Sequence, residues 1–147
     1  MPEAEARHDP YLNFNFRVEI DGNALAGFRE ADLPDARIEV YAYRDGTDLP
    51  TNVRRLPGRV AYGPLILRRG FAGDRMLFQW WRDVADGNVN RRNVVVILRD
   101  QAGHDVARWA FYDTVPVKYS APSFRAQGNE VAIESLELSV ESMELVE

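Results

Sequence analysis

Ten residues near the amino end alternate without a fault. Leu12, Phe14, Phe16, Val18 and Ile20 are apolar, while Asn13, Asn15, Arg17, Glu19 and Asp21 are polar. Successive side chains of a strand point to opposite faces, so this register predicts a half-buried strand with one wet face. Asp21-Gly22-Asn23 closes it with turn chemistry.

The rest of the chain follows the same grammar with one exception. Arg37 to Tyr43 is a second strand candidate, carrying Ile38 and Val40 on alternate positions beside Tyr41 and Tyr43. Arg44 to Arg59 is polar and broken by Asp45-Gly46, Pro50 and Pro57-Gly58, and is expected to be a long loop. Loops of that length in compact domains are usually functional. Pro64 to Arg69 is another strand. Asn93 to Asp100 (NVVVILRD) is a continuous apolar run, expected to be a strand buried on both sides. Gln101 to His104 suits a hairpin connection, and Asp105 to Asp113 pairs back with Ala107, Trp109 and Phe111 on one face.

The exception is Asp74 to Ala85, where Met76, Leu77, Trp80, Trp81 and Val84 fall at helical spacing. Asp74 suits the amino cap and Gly87 the residue just past the other end. Leu77, Trp80, Trp81 and Val84 are the stripe expected to pack on a sheet. The carboxyl end is ambiguous. Glu130, Glu134, Glu137, Glu141 and Glu144 recur at helical spacing, whereas Leu136, Leu138 and Val140 alternate as in a strand. As a strand its apolar phase moves from Val131 and Ile133 to Leu136 and Leu138, which calls for a bulge near Glu134 or Ser135.

Composition bounds the function. The chain has 147 residues, 46% of them hydrophobic, with no repeat or linker dividing it. It is expected to form one domain, with residues 1–10 as a flexible arm. There is no cysteine, hence no disulfide, thiolate metal site or cysteine nucleophile. The first ten residues are charged and lack the apolar run of a signal peptide, and no stretch is long and apolar enough to span a bilayer. The net charge of −5 argues against a basic nucleic-acid surface. Lys118 is the one lysine; every other basic side chain is arginine, which suits interface ion pairs.

Catalytic and ligand motifs are missing. His8 and His104 belong to no spaced metal motif. Asp45 and Asp48 lack the rest of a calcium loop. Gly70-Phe71-Ala72-Gly73 lacks the lysine of a phosphate loop. The doublets Arg54-Arg55, Arg68-Arg69 and Arg91-Arg92 are expected to be solvated strand ends or subunit contacts. No enzyme and no cofactor is expected.

Three segments together carry a resemblance: Asp9 to Gly22 (DPYLNFNFRVEIDG), Leu56 to Asp100 (with GDRMLFQWW inside it) and Val106 to Glu141 (with GNEVAIE inside it). In order and spacing they resemble the tail tube, or inner tube, proteins of contractile phage tails and extracellular contractile injection systems. The resemblance implies a mainly β fold of two packed antiparallel sheets, a β-barrel or sandwich, with one flanking α-helix, similar to the type VI secretion tube protein. It also implies a strand at the carboxyl end. Six such subunits would form a ring, each lending four strands to one continuous inner barrel. At about 4.8 Å per strand such a wall is about 40 Å or somewhat more across. Implied partners are further copies of the chain, a sheath protein, baseplate and tube-initiator proteins, and a cargo protein or DNA in the lumen. Assembly would take place in the bacterial cytoplasm, with the particle then extracellular.

Within that picture Asn13, Asn15, Arg17, Glu19 and Asp21 are the lumen-facing candidates. Rings must also stack, and the 44–59 loop is the candidate inter-ring contact. Its charges are Arg44, Asp45, Asp48, Arg54, Arg55 and Arg59. The alternative is a monomeric β-sandwich that uses that loop to bind a ligand or protein.

Overall fold

The computed structural model describes residues 9–25, 27–44, 46–47 and 53–146. Its organising element is β8, Asp105–Ser120, a strand of 16 residues that serves two sheets. The first part of β8 pairs with β7 (Arg92–Arg99) on one side and β10 (Ser142–Val146) on the other. Its last part pairs with β9 (Ile133–Ser139). Between the two, Tyr112 and Asp113 stand opposite the single residue Asn93, a bulge that turns the strand. Asp113 takes a positive φ of 53°, and its N–H donates to the Asn93 Oδ1 at 3.2 Å. A short polar side chain tolerates that left-handed region better than a branched one.

Two antiparallel sheets result. The first runs β2 (Asn23–Leu25), β1 (Phe16–Ile20), β7, β8, β10. The second runs β8, β9, β6 (Leu65–Gly70), β3 (Phe28–Asp32). Between them lies the core: Val18, Ile20, Val94, Val96 and Phe111 from the first sheet, Leu65, Leu67, Leu136 and Leu138 from the second. The helix α1 (Met76–Ala85) adds Leu77 and Trp80. The mainly β architecture with one flanking helix and a strand at the carboxyl end is as expected.

Four expectations need correction. The alternation from Leu12 does not continue as strand, because β1 begins at Phe16. Its partner β7 ends at Arg99, whose N–H donates to Asn15 O at 2.8 Å, and the chain then turns through residues 101–103. Leu12 and Phe14 therefore have no strand to pair with and stand 53% and 65% exposed.

The expected long loop is mostly a ribbon. β4 (Ala36–Tyr43) pairs antiparallel with β5 (Arg54–Tyr62), so Arg54, Arg55 and Arg59 lie on a strand. Pro57 and Gly58 do not break β5. Both strands of a two-stranded ribbon are edges, which tolerate proline, and the register shifts at Gly58-Arg59 opposite Glu39. The Tyr41 ring lies over Gly58, where a β-carbon would overlap it.

At the carboxyl end the apolar phase change is real, but no bulge accompanies it. Val131 precedes the strand, and Glu134 itself occupies the core phase shared with Leu136 and Leu138. Finally, α1 begins at Met76 rather than Asp74.

Candidate assembly surfaces

The helix is fastened from both ends. The Met76 N–H donates to Asp74 Oδ1 at 2.9 Å. At the other end Gly87 takes φ 97°, the Gly87 N–H donates to Val84 O at 3.1 Å, and the Asn88 N–H to Asp83 O at 2.9 Å. That double bond pattern closes a helix with a left-handed glycine. Leu77 and Trp80 are buried, and Trp81 and Val84 pack partly buried against the same core. Trp80 is 1% exposed, its indole N–H donates to Asn90 O at 2.7 Å, and the Arg92 guanidinium stacks 5.0 Å from its ring centre. Phe78 meets Tyr119 edge-on at 5.3 Å. The Trp80 ring therefore offers no platform to a ligand.

The polar face of β1 is a small charge lattice. Arg17 lies 3.4 Å from Glu19 and 3.3 Å from Asp105, and Arg99 is 3.4 Å from Asp105. Asn15 Nδ2 donates to Asp100 O, and Asn13 is exposed before the strand. Asp21 is not on this face. It takes φ 50° in the β1–β2 turn, and its Oδ1 accepts the Asn93 N–H at 3.0 Å. The structure brings Arg17 and Glu19 together and leaves Asn13 and Asp21 apart from them.

The Arg68-Arg69 doublet is not solvated at both residues as expected, because Arg69 is buried in an ion pair. Arg69 Nε donates to Glu134 Oε1 at 2.7 Å, with Arg69 5% and Glu134 1% exposed. The Tyr119 hydroxyl donates to the other Glu134 oxygen at 2.7 Å. Burial, followed by this hydrogen bond to a carboxylate, pushes Tyr119 up to about 12. Arg69 also reaches Asp74 just before α1 and lies 5.8 Å from the Phe28 ring centre on β3. Arg69, Glu134 and Tyr119 together thus tie β3, β6, β9 and β8 to the residue before the helix. Both charges are visible in the alternation: Leu65, Leu67 and Arg69 share a phase, as do Glu134, Leu136 and Leu138. Arg69 and Glu134 are direct cross-strand partners.

The β4–β5 ribbon is uncovered within the subunit. All eight residues of β4 are exposed, and so are the first seven of β5. Ile38, Val40, Tyr41, Tyr43, Leu56 and Val60 are each between 46% and 57% exposed. A lone two-stranded ribbon is marginal in water. Arg44, Arg54, Arg55 and Arg59 are exposed on or beside it, while Asp45 and Asp48 fall outside the described residues. From Ala36 to Tyr62 the sequence carries five arginines and three acids, a net +2. With the whole chain at −5, the remaining residues sum to −7. A basic, apolar ribbon projects from an acidic body.

Elsewhere, Tyr11, Leu12 and Phe14 are exposed before β1, and Phe124 is 83% exposed in the connection before β9. Among the described residues no group of three or more His, Asp or Glu side chains could hold a metal ion, and no helix is long and apolar enough to cross a membrane.

A family model described as T4-like virus tail tube protein gp19 matches residues 12–144. No curated protein sequence matches. Among solved structures, a chain of the sheath–tube complex of PVC, an extracellular contractile injection system, in the extended state is 24% identical. The match covers 93% of this chain and 91% of that one, with a TM-score of 0.83. A chain of the tube-terminating cap of the anti-feeding prophage is 23% identical, with 98% and 95% covered and a TM-score of 0.86. Hcp1 from Flavobacterium johnsoniae is 14% identical, with 88% and 93% covered and a TM-score of 0.54. At these identities the structural likenesses show a shared fold.

Proposed function

The chain belongs to the T4-like virus tail tube protein gp19 family, and is a structural tail tube protein; from that premise we propose that six copies close into a ring, that rings stack into the inner tube of a contractile particle, and that the subunit performs no catalysis. The observation that carries the proposal is the β4–β5 ribbon. Its apolar side chains have no cover within the subunit, and its positive charge opposes an acidic body. A monomer would leave that surface in water, whereas a stack of identical subunits supplies both an apolar cover and the opposite charge. Arg44, Arg54, Arg55 and Arg59 are then inter-ring contacts.

Relatives in fold come from a sheath–tube complex, a baseplate and a tube cap. A sheath, a baseplate initiator and a terminator are accordingly the proposed partners outside the tube. A cargo protein or DNA would occupy the lumen. Assembly would precede release, taking place in the cytoplasm of the producing bacterium. Sedimentation velocity across the micromolar range, alone and with a sheath or baseplate partner as template, tests the role. Rings or higher stacks are expected. A strictly monomeric species in every condition favours the β-sandwich binding module instead.

A further inference from the structure

Gly58 sits inside β5, between Pro57 and Arg59. Glycine within a strand weakens it, and marks a bulge or the close approach of another group. Both hold here. Glu39 stands opposite the two residues Gly58 and Arg59, between the pairs Ile38–Val60 and Val40–Pro57. A bulge of that kind bends its strand and increases the local twist. Gly58 does not take the positive φ seen at Gly22 or Gly87, so the backbone itself does not demand glycine. What excludes a side chain is Tyr41. The three atoms nearest to a β-carbon at Gly58 all belong to the Tyr41 ring, which it would overlap. Tyr41 pairs directly with Leu56, so its ring reaches diagonally across the ribbon to the residue two positions on.

Register divides the ribbon into two unlike faces. Ala36, Ile38, Val40 and Ala42 share one face with their partners Tyr62, Val60, Pro57 and Arg55, and it is apolar apart from Arg55. Arg37, Glu39, Tyr41 and Tyr43 share the other with Ala61, Leu56 and Arg54. Tyr41 is therefore braced on Gly58 on the face opposite the apolar one, and is 51% exposed there. A ribbon with no layer beneath it has only such cross-strand contacts to hold its bend.

Resting on the tube reading, in which the ribbon joins rings, we propose that Tyr41 and Gly58 are a positioning pair. The ring seated on the glycine fixes the bend at the bulge, so that Ile38, Val40 and Val60 reach the next ring already in their docking orientation. A ribbon free to straighten is competent to dock for only a fraction of the time, and its affinity falls by that fraction. One cross-strand aromatic contact shifts such a balance by a factor of about 1.4 to 5. A junction between rings repeats that factor at every copy, so a small local loss becomes a large loss of stacking.

Sedimentation velocity of the full chain reads stacking, and proton NMR below the assembly concentration reads the brace. In the wild type the Gly58 α-protons lie under the Tyr41 ring and are expected upfield of ordinary glycine positions, returning there in Tyr41→Leu. Tyr41→Leu and Gly58→Ala are each expected to raise the concentration for half-maximal stacking at least about tenfold. Ring closure and the urea midpoint should be unchanged, because both residues are exposed. Tyr41→Phe keeps the ring and should stack like wild type. Tyr41→Leu combined with Gly58→Ala should be no weaker than Gly58→Ala alone, since the two residues act as one contact. Wild-type stacking by Gly58→Ala, a double variant whose losses add, or Tyr41→Phe as weak as Tyr41→Leu overturns the positioning pair and leaves the tube intact. Rings that fail to close in either single variant also overturn it, because the pair would then act on the subunit fold. Upfield Gly58 protons in a wild-type protein that never stacks overturn the tube reading on which the pair's role rests.

Discussion

Arg69→Met isolates a buried charge, and its consequence follows from the geometry. Glu134 would remain 1% exposed, keeping only the Tyr119 hydroxyl as a hydrogen-bond partner. Removing one member of a buried pair costs about 3–5 kcal/mol, because the survivor is neither solvated nor neutralised. Domains of this kind have a net stability of about 5–15 kcal/mol, so the single variant loses a large fraction of it. Replacing the whole set by apolar groups tells a different story. Arg69→Met with Glu134→Leu removes both charges, and Tyr119→Phe removes the hydroxyl that would lose its acceptor. That triple variant is expected within about 1 kcal/mol of wild type, or above it. Urea unfolding below the assembly concentration, followed by tryptophan fluorescence, reads the difference as a shift in midpoint at constant slope. A single variant within 1 kcal/mol of wild type would refute the reasoning, as would a triple variant as unstable as the single one. What the pair supplies is register: it joins β6 to β9 at one residue pair.

Three further outcomes follow. Trp80→Ala is expected to cost about 3–5 kcal/mol in chemical unfolding, since the ring is fully buried, and Trp81→Ala clearly less, since that ring is only partly so. Tyr119 is held up to about 12 in the folded protein against an ordinary value near 10, so its contribution to stability is whole below about pH 10 and fades as pH rises toward 12; alkaline unfolding of Tyr119→Phe should show a shallower loss over that window. Replacing residues 37–61 by a tight turn should leave rings closed and abolish stacks, and added salt should weaken stacking in the wild type, because the ribbon's charges are exposed; normal tubes from the shortened chain would move the stacking contact to the segment around Tyr11 and Phe14.

The fold was legible where a local pattern had a local cause. Alternation at Phe16–Ile20 and the helical stripe at Leu77, Trp80, Trp81 and Val84 both reflect burial against a single sheet. The pattern failed where pairing depends on a distant partner. Leu12 and Phe14 continue the alternation of β1, but β7 has already turned away. Pro57 and Gly58 carry a loop's composition, yet they sit in a strand because both edges of a ribbon are free. Arg69 and Glu134 share the phase of the core leucines, but two charges of opposite sign, far apart in sequence, can be buried there only when a distant pairing brings them opposite one another. The surfaces proposed for assembly were the least legible. The polar face of β1 is wet by the same alternation that describes the outward face of the second sheet.

The central claim is that this subunit builds a closed ring around a bore. Negative-stain electron microscopy of the purified wild-type protein tests it most directly. Six-fold rings with a stain-filled centre about 40 Å across, joining into tubes at higher concentration, are the predicted result. Uniform particles of a single 16.8 kDa chain at every concentration, with a sheath or baseplate template present, would contradict it.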